Sequence, residues 1–370
     1  MNRALLIALA ALSVLAGCGQ SEDAAAPAPP ATTSSGAAGS GAPALTQSAL
    51  DAMLTRYDVP GAAVASFAGC GEAEITVAGV ADLETGAPIG ATSVFEAASL
   101  SKAVFAYLVM QLVDEGVVDL DRPLAETFDY ARIEDDASYA LITPRMVLTH
   151  RTGLPNWVDS ATPFAEQTAP IPFAAPPGTE FTYSGEAFQL LQAFVERETG
   201  RSLQQLFSER LGDVMPHSTY VRPLADGSAA TRGYKRASAP ETGRDMTSLT
   251  DTAMSASSLA TTAGDFAAFV AHVCRGDGLA ASTHEAMIRP QSPVPADGSA
   301  LPTSWGLGWM TADIGGATFV GHDGSNDEYR ALGGYVKETG EGIVILTNAS
   351  TGGDLIEAFV QEGSQDAVVE

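Results

Sequence analysis

The chain has 370 residues, 45% of them hydrophobic, enough to bury a large core in one big domain or two ordinary ones. A formal net charge of -26 and a pI of about 4.3 leave no basic stripe that could neutralise phosphates, which argues against a nucleic-acid partner. The same acidity repels anionic lipid headgroups, so membrane contact has to come from a covalent or inserted group.

The first residues supply a candidate for that group. Asn2 and Arg3 give a short positive start, Ala4 to Leu15 form an apolar run too short to span a bilayer, and Leu15-Ala16-Gly17-Cys18 closes it. This stretch resembles a bacterial lipoprotein signal. The resemblance implies a signal peptide over 1–17, a diacylglyceryl group on Cys18 as the mature N-terminus and, with Gly19 in place of an aspartate, an anchor at the periplasmic face of the outer membrane. The alternative is an ordinary secretory signal with an incidental cysteine and a secreted periplasmic product. Residues 18–43 are rich in Ala, Pro, Ser, Thr and Gly and nearly free of large apolar residues, so they read as a disordered tether.

The folded domain is expected over 44–370. Thr46 to Tyr57 carries apolar residues at helical spacing and stops before Pro60, ahead of a small-residue strand, AAVASF. A Gly69-Cys70-Gly71 turn leads into the alternating run EITVAGVAD, completing a hairpin. Next comes ASLSKAVFAYLVMQLVDEG, a core helix with Phe105, Leu108, Val109 and Leu112 on one stripe and Gly116 at its end. From about Asp129 the texture turns to short helices and Pro-rich loops, with helical stretches at Thr143 to Thr149, Glu186 to Thr199, Leu203 to Leu211 and Thr262 to Val273. Strand signals return in WGLGWM, ATFVGHDG, YRALGGYV and GIVILTN, before a helical tail from Asp354. Sheet pieces at about 44–128 and 300–370 around a helical part at about 129–299 predict an α/β layer with a helical insertion. Cys70 and Cys274 can bridge in an oxidising envelope or stay unpaired, and sequence leaves both open.

Ser99-Leu100-Ser101-Lys102 is a Ser-x-x-Lys at the start of the core helix, so one helical turn sets the Lys102 amine beside the Ser99 hydroxyl. Serine needs a base to become a nucleophile, and a lysine desolvated in a cleft loses its preference for charge. The bland reading is a helix cap and a solvated lysine, since a chance match has odds of roughly one in four. Downstream, Tyr183 lies on a loop (Pro176 to Gly185) before a helix, where a phenol near an ammonium would ionise more easily and relay a proton to the leaving group. Gly321-His322-Asp323-Gly324-Ser325 ends a strand. Gly324 there would let backbone approach a ligand, and the Ser325 N–H, with that of Ser99, would form an oxyanion hole.

These three segments, in this order, resemble the serine β-lactamase and penicillin-binding-protein superfamily, within it the class C β-lactamase-related hydrolases. The resemblance spans roughly Leu45 to Ser350 and includes Phe95 to Lys102, Leu148 to Pro155, Ser255 to Phe269, Gly306 to Trp309 and Ile345 to Asn348. It implies a mixed antiparallel sheet flanked by helices with a helical subdomain, and a cleft in which Ser99 is nucleophile, Lys102 and Tyr183 are the general base/acid pair, and His322 lines the opposite wall with Gly324 and Ser325. Two positions depart from the family pattern. Tyr-x-Asn becomes Tyr183-Ser184-Gly185, and Lys-x-Gly becomes His322-Asp323-Gly324, which weakens the grip on a substrate carboxylate.

The expected function is therefore a serine hydrolase acting through an acyl-enzyme on a small ester or a D-amino-acid-containing peptide or amide, with no cofactor and no metal. A β-lactamase or D-alanyl-D-alanine carboxypeptidase is the first alternative. A non-catalytic lipid-tethered module binding peptidoglycan fragments or a partner protein is the second. His150, before a turn, reads as structural, and His217, His272 and His284 lack metal-ligand spacing. Trp305 and Trp309 read as core, and Trp157 as core or cleft wall.

Overall fold

The computed structural model describes residues 45–365 apart from 160–161, 163–165, 296–302 and 315. The expected signal peptide, Cys18 and the tether lie outside the described residues. Among those described, no helix is long and apolar enough to cross a membrane.

Among the described residues twelve strands run in chain order: β1 Gly61–Phe67, β2 Glu74–Asp82, β3 Ala87–Pro88, β4 Ser93–Glu96, β5 Ala229–Ala230, β6 Ala260–Thr261, β7 Ser292–Pro293, β8 Thr303–Trp305, β9 Met310–Ile314, β10 Ala317–Asn326, β11 Tyr329–Val336 and β12 Gly342–Thr347. Nine of them form one sheet ordered β3-β2-β1-β12-β11-β10-β9-β8-β7, antiparallel throughout. The pairing of β1 with β12 joins the two ends of the domain, as the split strand pattern predicts. The run WGLGWM is mostly not strand: Trp305 ends β8, Met310 begins β9, and the residues between turn the chain. Gly308 in that turn has φ +81, and a Cβ there would sit 2.1 Å from the Ala106 Cβ, so only glycine lets the turn close on the central helix.

One sheet face carries the terminal helices Gln47–Arg56 and Gly352–Gln365, which bury Leu50, Leu54 and Leu355 against Val64, Ile343 and Ile345. Thr46 caps the first of these by accepting from the Ala49 N–H at 3.2 Å. The other face carries the central helix Leu100–Asp114 and the helix Ala263–Arg275. The central helix is apolar on most of its surface and is correspondingly buried all round, from Leu100 to Met110 without a break, Ser101 and Lys102 included.

Cys70, in the β1–β2 turn, is disulfide-bonded to Cys274 in the last turn of the helix Ala263–Arg275, with Cα atoms 5.7 Å apart across 204 residues of sequence. A crosslink over so long a loop removes much of the entropy of the unfolded chain. The double variant Cys70→Ala/Cys274→Ala is expected to lose about 3–5 kcal/mol of stability, read as a lowered denaturant midpoint. An unchanged midpoint would contradict this.

Candidate active site

The site is built where a short strand runs into the central helix. β4 pairs with β6 through Phe95↔Thr261 and Glu96↔Ala260, and the Ala97 N–H continues the pairing to the Leu259 carbonyl at 2.8 Å. The chain then turns sharply: Ala98 takes φ +49, a left-handed conformation that strains an L residue. Ser101 holds this turn, its hydroxyl donating to the Ala98 carbonyl and accepting from the Leu259 N–H at 3.0 Å, while the Tyr220 hydroxyl donates to the Ser101 carbonyl at 2.8 Å. Ser99 is left partly exposed at the helix start. It makes no side-chain capping bond, so its hydroxyl is not spent on the helix.

Lys102, one turn on, is only 1% exposed. Its Nζ donates to Ser99 Oγ at 3.2 Å and to the Ala256 carbonyl at 2.8 Å, and lies 4.8 Å and 5.7 Å from the Tyr183 and Phe188 ring centroids. Burial without an ion pair drives its pKa down to about 7, with the Asp323 charge opposing part of the fall. Both bland readings, a cap and a solvated lysine, are thereby at odds with the geometry.

Tyr183 meets the same point from the loop before the helix Gly185–Thr199, its ring lying over the Lys102 amine. The expectation of an easily ionised phenol is corrected. Desolvation, and then the Asp323 charge, push its pKa well above the usual range, so it is held as a neutral hydroxyl and Lys102 is the group that yields its proton near neutrality. His150, at φ +53, is packed behind it with ring centroids 4.3 Å apart, and its Nδ1 accepts the Ser184 N–H at 3.1 Å. Its buried position agrees with a structural role.

The facing wall is β10. Its pairing with β9 ends at Gly321↔Met310, so residues 322–326 form an open edge backed only by β11. Asn326 and Tyr329 close a two-residue turn and so exchange hydrogen bonds. Alternation along the ladder then directs the Ser325 N–H away from β11, onto the open edge. Gly324 serves a different approach from the one expected: a Cβ there would lie 2.4 Å from the Ala97 carbonyl, so the glycine lets β10 close on the turn carrying Ser99. His322 departs further from expectation. Its ring is fully buried against Trp305 and Tyr183, its Nδ1 bonds the Asp323 carbonyl at 2.6 Å, and burial pushes its pKa to about 3. The side chain partly exposed at that wall is Asp323.

A family model described as Beta-lactamase matches residues 46–364. The chain belongs to the beta-lactamase family. It is 28% identical over 322 residues to penicillin-binding protein 4 of Amycolatopsis lactamdurans, covering 82% of this chain and 84% of that one. It is 32% identical over 149 residues to esterase EstB of Burkholderia gladioli, covering 34% and 37%. Its fold is similar to that of the D-amino acid amidase of Ochrobactrum anthropi SV3, with TM-score 0.72 at 22% identity over 87% of this chain and 98% of that chain. The chain is thus a serine hydrolase of the beta-lactamase family, with the large antiparallel sheet and flanking helices that the resemblance implies.

The two departures from the family pattern now have physical settings. At 185 a Cβ would come within 2.5 Å of the Trp157 ring, so the tryptophan fills the space an asparagine side chain would need. At 322 the imidazole is neutral and enclosed. Three contributors escape the sequence reading: the Ala256 carbonyl that holds Lys102, Ser101 that holds the strained turn, and the Asp323 charge. The Ser101 hydroxyl inside the Ser-x-x-Lys was the available signal; the other two depend on segments far away in sequence.

Proposed function

We propose that this hydrolase works through an acyl-enzyme on Ser99 and takes a small ester or a D-amino-acid-containing peptide or amide. The observation that carries the reading is the buried Lys102 amine, poised to be neutral near pH 7, 3.2 Å from Ser99 Oγ. Neutral Lys102 accepts the Ser99 proton as Oγ attacks the carbonyl. Charge developing on the carbonyl oxygen is met by the N–H groups of Ser99, at a helix N-terminus, and of Ser325, on the open edge of β10. Tyr183, held neutral, passes the proton from Lys102 to the leaving group, and water then releases the acyl group by the reverse relay.

The substrate preference rests on the two departures from the family pattern. Gly185 and buried His322 offer neither an amide nor an ammonium to a substrate carboxylate, which ranks β-lactams and D-alanyl-D-alanine peptides below neutral esters and amides. Purified protein assayed with p-nitrophenyl esters, D-alanyl amides and nitrocefin is expected to turn over the first or second faster than the third. Rapid nitrocefin turnover with neither of the others would reverse the ranking.

A further inference from the structure

The carboxylate of Asp323 stands at the open edge of β10, one residue from the glycine that packs against the turn carrying Ser99. Its side chain is 27% exposed. It sits against His322, whose ring packs on Tyr183 with centroids 6.4 Å apart, and its charge is felt at Lys102 and Tyr183. Among the described residues no lysine or arginine forms an ion pair with it, although the charges of Lys102 and Arg330 are felt there. His322 Nδ1 lies 3.9 Å from its Oδ1 but is bonded to the Asp323 carbonyl, and the ring is neutral. Lys102 is bound to Ser99 and Ala256. Arg330 Nη1 is turned to the carbonyls of Asn326, Asp327 and Tyr329. Desolvation raises the Asp323 pKa only to about 6, so the group is ionised at mildly alkaline pH. A partly desolvated anion with no ion-paired cation attracts a cation and repels another anion more strongly than a solvated one does.

Resting on the acyl-transfer reading above, we propose that Asp323 is a specificity determinant. It selects acyl substrates bearing a positive charge near the scissile carbonyl, such as aminoacyl esters or amides with a free ammonium, over substrates bearing a carboxylate.

The p-nitrophenyl esters of 4-(trimethylammonio)butyrate, 5,5-dimethylhexanoate and glutarate share a leaving group and a spacer and differ in a permanent positive, absent or negative end charge. At pH 8 and low salt, kcat/KM for the cationic ester is expected to exceed that for the anionic one by about 10- to 100-fold, and high salt to shrink the ratio. Asp323→Asn is expected to cut the ratio about tenfold, mainly through KM, and Asp323→Glu to keep most of it. This separates the local carboxylate from the chain's overall negative charge. A wild-type ratio near one, unmoved by salt, would overturn the proposal even if the asparagine variant did not fold; so would an undiminished ratio in a folded Asp323→Asn protein. Failure of wild type to hydrolyse even the neutral ester would instead overturn the acyl-transfer reading.

Discussion

Ser99→Ala is expected to lower kcat on any ester the protein turns over by about 10⁴- to 10⁶-fold, because on the proposed mechanism it removes the group that forms the acyl bond. A fluorophosphonate probe, which needs the activated hydroxyl, should label wild type and leave the variant unlabelled. Stability separates this outcome from a structural role. A serine whose hydroxyl capped the helix would cost about 1 kcal/mol on replacement by alanine, whereas Ser99 makes no such bond and its replacement should leave the unfolding midpoint close to wild type. Equal labelling of the two proteins would remove Ser99 as nucleophile.

Lys102 sets the second large effect. As a base it must be neutral, and its pKa of about 7 means activity is present above that pH and lost below it as the amine charges. The acid limb of kcat/KM on a neutral ester should therefore bend near pH 7, with about tenfold lost for each further unit of acidity. The groups around the amine bear on this limb unequally. Ser99 and Tyr183 keep their protons, His150 and His322 are held neutral by burial, and Asp323 raises the Lys102 pKa. Asp323→Asn should move the limb to lower pH. Lys102→Arg should be inactive at every pH, because a guanidinium does not give up its proton. A limb unmoved in Asp323→Asn, or substantial activity in Lys102→Arg, would show that another group accepts the serine proton.

Much of this site is readable along the chain because its first part is local. Three residues of helix fix the distance between Ser99 and Lys102, and the apolar residues after them can only be satisfied by burying the helix. The strand alternation of EITVAGVAD and the runs near the C-terminus likewise declare themselves. Harder to read are β4 and β6, too short to carry a pattern, and the run WGLGWM, where aromatic content resembles strand but Gly308 makes a turn. His322 is hard to read for a related reason: sequence places it on the wall, and only packing against Trp305 and Tyr183 shows that its ring is enclosed while Asp323 is partly exposed.

By itself the sequence determined that this is an acidic chain with strands near both ends of a domain, helices between them, and a Ser-x-x-Lys on the first turn of a core helix. The tertiary structure alone decided what that lysine is. Its partner carbonyl, Ala256, lies 154 residues away, and the rings of Tyr183 and Phe188 and the charge of Asp323 come from still other segments. A pKa is set by the solvent removed and the charges brought near, and both are properties of the surrounding packing; the spacing of four residues along a helix carries neither.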